Sequence, residues 1–164
     1  MGFLPLALII ATLLCSLVAG FLFAFAVVVM AGIRKLSDRE FIRAFQAMDG
    51  VIQDNQPIFV AVWLGSVIAL IAAATLGVGQ MDATGHWLLV VATAAYLAGV
   101  QLPTFTVNIP LNNRLQALDV DAMDEPAIQA AREAFEGRWN RSNTIRTVVS
   151  CLVSLLLIVL VLRY

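Results

Sequence analysis

Between Phe3 and Ile33 the chain carries no charged side chain, a run of 31 residues. Inside hydrocarbon every backbone N–H and C=O must be satisfied within the segment, so a continuous run of this kind reads as a helix. About 20 residues cross a bilayer core, so this helix must tilt or project beyond it. Three more apolar runs follow, at about 57–78, 86–107 and 144–162. The composition agrees: 61% hydrophobic and 13% charged residues, against about 45–50% and 25% in ordinary soluble domains. The expected fold is all-α, a single membrane domain over 1–164 built as an antiparallel bundle of four transmembrane helices. A cleaved signal peptide explains the first run poorly, because it lacks a basic n-region and is too long for an h-region.

Small residues mark where these helices approach one another. Ala7, Ala11, Cys15 and Ala19 recur every four residues in the first run, with Ser16, Gly20 and Ala24 alongside. Gly65, Ala69 and Ala73 form a second such row in the next. Stripes of this kind let membrane helices pack closely. Their exposed faces also leave homo-oligomerisation open. Phe21, Phe23 and Phe25 read as packing or lipid contacts. Cys15 and Cys151 both lie in apolar runs and read as buried small thiols, not as a disulfide.

Two polar connectors separate the first span from the second and the third from the fourth. Ser37-Asp38-Arg39-Glu40 fits a capping box that starts a short helix with Phe41, Ala44, Phe45 and Met48 on one face, ending near Asp49-Gly50. In the second connector Asp124 is a helix cap with Pro126 in the first turn. Ile128, Ala131, Phe135 and Trp139 then make an amphipathic stripe, with Arg132 and Glu136 able to pair at i, i+4. Short amphipathic helices are thus expected in both connectors. Nine of the ten Lys and Arg residues fall at this end of the bundle and only Arg163 at the other. Positive-inside counting puts both connectors in the cytoplasm and both termini outside.

Uncharged polar groups converge at the same end. The densest stretch runs from Thr104 to Leu115, where Asn108 and Asn112 share a helix face. Pro103 and Pro110 lack an N–H, which deprives the carbonyls of Gly99 and Thr106 of their usual partners. Gln46, Asp49 and Asn55 come from the first connector. Trp139, Asn143, Arg146 and Ser150 form a single helical stripe. Arg146 would lie just inside the bilayer edge, its five donors suited to a carboxylate, a carbonyl or an enolate oxygen. Asparagine and arginine at helix ends also cap termini, bridge helices or snorkel, so the case for a site rests on convergence.

Other chemistries are set aside. A net charge of −1 argues against a nucleic-acid partner. His86, the only histidine, falls at the opposite end with no i+3 or i+4 ligand partner, so no metal site is expected. The chain has no P-loop, no dinucleotide-binding glycine turn and no nucleophile elbow.

Several motifs resemble the anthrone oxygenase-like membrane proteins over nearly the whole chain. They are Gly20-Phe21-Leu22-Phe23-Ala24-Phe25 with Val29-Met30, Ala44-Phe45-Gln46-Ala47-Met48-Asp49 and Asn55-Gln56-Pro57-Ile58-Phe59. Thr104 with Asn108-Ile109-Pro110-Leu111-Asn112, and Arg138-Trp139-Asn140 with Asn143 and Arg146-Thr147, complete the set. Two positions depart from the family. Ala31 stands where a proline is usual, so the first helix is expected to run straighter, and Asp49 stands where asparagine is usual. The resemblance implies a four-helix protein of a bacterial plasma membrane. Some relatives oxidise anthrones to anthraquinones with molecular oxygen, without a metal or flavin cofactor.

The leading expectation is therefore a cofactor-independent oxygenase acting on a lipophilic phenolic or enolisable aromatic at the cytoplasmic mouth. Arg146, Asn108 and Asn112 are the expected donors to its oxygen, and Asp49 the proton acceptor. Asn143, Trp139, Thr104, Gln46 and Asn55 are the expected substrate contacts. Two alternatives use the same residues: a protein that binds or transports a lipophilic small molecule without chemistry, and a structural protein whose polar cluster only locks helix ends.

Overall fold

A computed structural model describes residues 2–164. Among them are five helices and no strand: α1 (Phe3–Ile33), α2 (Asp38–Gln53), α3 (Pro57–Leu76), α4 (Ala83–Gln116) and α5 (Glu125–Arg163). All but α2 are long and apolar enough to cross a membrane. They go up and down in sequence order, α1 packing on α3 and α5, and α4 on α5 and on part of α3.

The half of the bundle remote from the connectors is dry. Leu8, Ala11, Cys15, Leu70, Ala73, Leu89, Ala92, Tyr96 and Leu157 form one buried cluster there. The small-residue stripe is its seam: Ala11, Cys15 and Ala19 are buried. A Cβ on Gly65 would stand 3.0 Å from the Leu14 side chain, so glycine sets how near α3 comes to α1. Cys151 breaks the expectation of two buried thiols. It is exposed on the bundle's outer face, because the inward stripe of α5 passes through Ser150 and Val153 instead. Asp82 caps α4 at this end, its Oδ1 accepting from the Gly85 N–H at 2.7 Å, and pairs with Arg163. His86 lies here too, beside Gly77.

At the other end three expectations change. Helix α5 is a single 39-residue rod, not a connector helix followed by a separate span, since no residue between Trp139 and Thr144 breaks it. At 1.5 Å per residue it is about 58 Å long, so its first half stands outside the bilayer. Helix α4 likewise runs past Val107 to Gln116. Helix α2 continues one turn beyond Gly50 to Gln53, and Asn55, with φ of 57°, turns the chain into α3. The Ser37–Glu40 capping box is present as expected.

Helix α1 is not regular either. A π-turn at Phe25–Val29, where the Met30 N–H reaches the Phe25 carbonyl, precedes Ala31. Alanine at position 31 thus does not make the helix regular. Helix α4 carries two more π-turns, Leu97–Gln101 and Thr104–Asn108, one shortly before each proline. A π-turn shifts pairing from i+4 to i+5, which lets a carbonyl facing a proline pair with the next residue. The hydroxyls of Thr104 and Thr106 donate back to the carbonyls of Val100 and Leu102 at 2.7 and 2.8 Å.

Helix α2 lies across the bundle mouth. Phe41, Ile42 and Phe45 bury against Ile128, Phe135 and Trp139 of α5 and against Leu111 and Leu115 of α4. Arg132 ties the layer together, bonding Asp38 at 2.8 Å and Glu136 at 2.9 Å with its guanidinium carbon 4.4 Å from the Phe41 ring centre.

Candidate functional site

Beneath α2 the helices part around a cavity of about 380 Å³, within the range of small-molecule sites. All five helices contribute to it, and each of the three π-turns supplies or adjoins lining residues. Its flanks are aromatic. Phe21 lies 4.9 Å from Phe25 and 5.2 Å from Phe59 between ring centres. Phe59 stacks on Trp63 at 5.5 Å, and Phe25 faces Trp139 at 5.8 Å. Phe59 and Trp63 lie nearly parallel, while the other pairs are tilted or edge-on, so the flanks are aromatic and faceted.

The polar groups form two clusters. The inner one surrounds Arg146, 4% exposed. Its Nη1 donates to Thr104 Oγ1 and its Nη2 to Asn143 Oδ1, both at 2.9 Å. Asn143 is itself anchored, its Nδ2 donating to the Leu22 carbonyl at 3.1 Å. No carboxylate pairs with Arg146 among the described residues, and its Nε has no partner. Asn108, 2% exposed, accepts from Ser142 at 2.6 Å and leaves its Nδ2 without a partner. A buried, unpaired guanidinium and an unused amide N–H both carry a desolvation penalty that an anionic or carbonyl oxygen would relieve.

The outer cluster is centred on Asn112. Its Nδ2 donates to Asp49 Oδ1 at 2.7 Å and its Oδ1 accepts from the Trp139 indole at 2.8 Å. Gln53 donates to the other Asp49 oxygen at 2.6 Å. Asp49 is 4% exposed. Its removal from water pushes its carboxyl above the usual range and outweighs the lowering by Gln53 and Asn112. A carboxylate of this kind is a better proton acceptor than an exposed one.

Eight of the nine expected residues line this cavity: Arg146, Asn108, Asn112, Asp49, Asn143, Trp139, Thr104 and Asn55. Gln46 does not. Its amide donates to the carbonyls of Leu115 and Leu118 at 2.9 and 3.0 Å, which caps the end of α4. Phe21 and Phe25, expected as packing, line the cavity together with Phe45, Phe59 and Trp63, while Phe23 points outward. The i, i+4 spacing of Phe59 and Trp63 was a legible sign of one aromatic face, but nothing in the sequence said that this face looks inward. Among the described residues no three His, Cys, Asp or Glu side chains converge as a metal site would require.

The sequence profile of the anthrone oxygenase family matches residues 51–156. That stretch holds α3, α4, most of α5 and every expected site residue except Gln46 and Asp49. No curated protein and no solved structure matches the chain.

Proposed function

The chain belongs to the anthrone oxygenase family, and from that premise we propose that it is a cofactor-independent oxygenase of a flat, lipophilic, enolisable aromatic. The observation that carries this reading is Arg146, a buried cation without a carboxylate partner on the wall of an aromatic-sided cavity. Arg146 and Asn108 both line the cavity, and a guanidinium and a carboxamide are donors that suit the oxygen of an enolate or phenolate. Holding that oxygen with preorganised donors stabilises the substrate anion in a site shielded from water.

For an anthrone, the balance is one dioxygen consumed and one water released. Asp49 takes a proton from the ring methylene, and Arg146 and Asn108 hold the resulting enolate oxygen. The anion supplies the electrons that reduce dioxygen, a carbon–oxygen bond forms at the former methylene, and the peroxide takes back the proton held by Asp49. The hydroperoxide then loses water, its remaining C–H proton leaving with the distal oxygen, and a ketone results. Asn112 positions Asp49 and Trp139, while the stacked Phe59 and Trp63 offer an aromatic flank to the substrate rings. Thr104 and Asn143 orient Arg146, and Asn55 closes the outer edge. Positive-inside counting over the basic connectors supports a cytoplasm-facing cavity with both termini outside, and the membrane proposed is a bacterial plasma membrane.

The test is oxygen uptake by the purified protein in lipid nanodiscs supplied with an anthrone. Uptake equimolar with anthraquinone is expected. Saturable binding without product would instead make the protein a carrier of such molecules. Neither binding nor turnover across several enolisable aromatics would reject the site.

A further inference from the structure

The cavity could communicate with the outside in two directions, and they are built differently. Towards water it is covered by α2, which is stitched to α4 by hydrogen bonds. Asn112 donates to Asp49 at 2.7 Å, Gln53 to Asn113 at 3.3 Å, and Gln46 to two carbonyls at the end of α4. Towards the bilayer, α3 and α4 are bonded only nearer the middle of the bundle. There the Trp63 indole donates to Gln101 at 2.8 Å and the Ser66 and Tyr96 hydroxyls meet at 2.8 Å. Between that latch and the start of α3, no hydrogen bond joins the two helices among the described residues. Leu64, Phe105 and Ile109 line the cavity there, yet are 55%, 60% and 37% exposed on the outer surface. A side chain that faces both inside and outside marks the rim of an opening. Apart from Asn55 at its outer corner, this rim is apolar and continuous with the lipid-facing surface.

We propose that this gap between α3 and α4 is a lateral portal, through which the ligand passes from the bilayer to the cavity without crossing water. The proposal rests on the reading of the cavity as a site for a lipophilic aromatic, and adds that the ligand is one dissolved in the membrane. A molecule with an apolar ring system and a polar oxygen concentrates near the membrane interface. The first two turns of α3 begin the apolar span at the end that carries the connectors.

A portal has a kinetic signature. Narrowing a passage slows association and dissociation together, whereas an altered contact in the bound state moves Kd mainly through dissociation. The full chain in phosphatidylcholine nanodiscs is mixed with 1,8-dihydroxyanthraquinone, and quenching of the Trp63 and Trp139 fluorescence is followed by stopped flow in a Trp87→Phe background, which removes the third, exposed tryptophan. Leu64→Phe combined with Ile109→Phe should slow both rates about tenfold; both side chains also line the cavity, so the association rate is the readout of the portal and any change in Kd is scored separately. Phe105→Ala should speed both. Ile68→Phe, on the outer face beyond the latch, and Asn113→Ala, in the seam between α2 and α4, should change neither. Acceleration by Asn113→Ala with no effect of narrowing would overturn the portal in favour of loading from water. A change in Kd without a change in association rate would make Leu64 and Ile109 site contacts and also overturn it. Absence of quenching in the unmodified protein would reject the binding reading itself, and the portal with it.

Discussion

The two halves of the bundle use the same four helices to opposite ends. Away from the connectors, alanines, Cys15 and Gly65 bring α1 and α3 together, and leucines fill what remains. Nearer the connectors, aromatic residues and two of the π-turns line a cavity whose wall also carries a cation without a carboxylate partner. Close packing yields stability and leaves no room for a ligand. The open half keeps its shape because α2 and the outer part of α5 clamp it from beyond the membrane. One half thus acts as a frame, which allows the other to retain groups that stability alone would not select.

Four substitutions can break that division. The largest effect is expected from Arg146→Met, which removes the charge but keeps the bulk. Turnover should fall about 10³-fold while thermal unfolding shifts by only a few degrees, since the lost bonds to Thr104 and Asn143 are offset by removing a desolvated charge. Loss of fold with Arg146→Met, rescued by Lys, would make the residue a structural bridge. In the dry half Leu157→Ala should do the reverse, destabilising by about 3 kcal/mol with unchanged turnover below the melting transition.

Asp49→Asn should lower turnover about 10²-fold and abolish its pH dependence. The carboxyl is raised above its ordinary value by burial, so in the unmodified protein activity should climb with pH through that raised pKa as the proton acceptor ionises. Stability should move the opposite way. The folded protein holds this proton more tightly than the unfolded chain, so stability declines as pH rises from the ordinary carboxyl range through the raised pKa. Melting curves of the unmodified protein and Asp49→Asn across that range would show it. The smallest effect is expected from Gly99→Ala. A Cβ there would lie 2.8 Å from Val149 Cγ1, and the strain should cost about 1 kcal/mol in stability without changing Kd for the aromatic probe.

Much of this was legible in the chain. Uninterrupted apolar length determined the four spanning helices, since a backbone in hydrocarbon has few ways to satisfy its hydrogen bonds. Ser37 and Glu40 marked where α2 begins, and small-residue spacing marked the tight seam. Helical spacing placed Trp139, Asn143 and Arg146 on one face, and chain order brought Asn108 and Asn112 to the same end of the bundle. What local pattern could not decide was the pairing of faces between helices. Gln46 differs from Asp49 by less than one helical turn, yet one caps α4 and the other lines the cavity. Phe21 and Phe23 differ only in which side of α1 they occupy. The π-turns, the unbroken length of α5 and the gap beside Leu64 and Phe105 depend on how five helices divide a shared volume. That division is an energy of contacts distant in sequence, and only the tertiary structure expresses it.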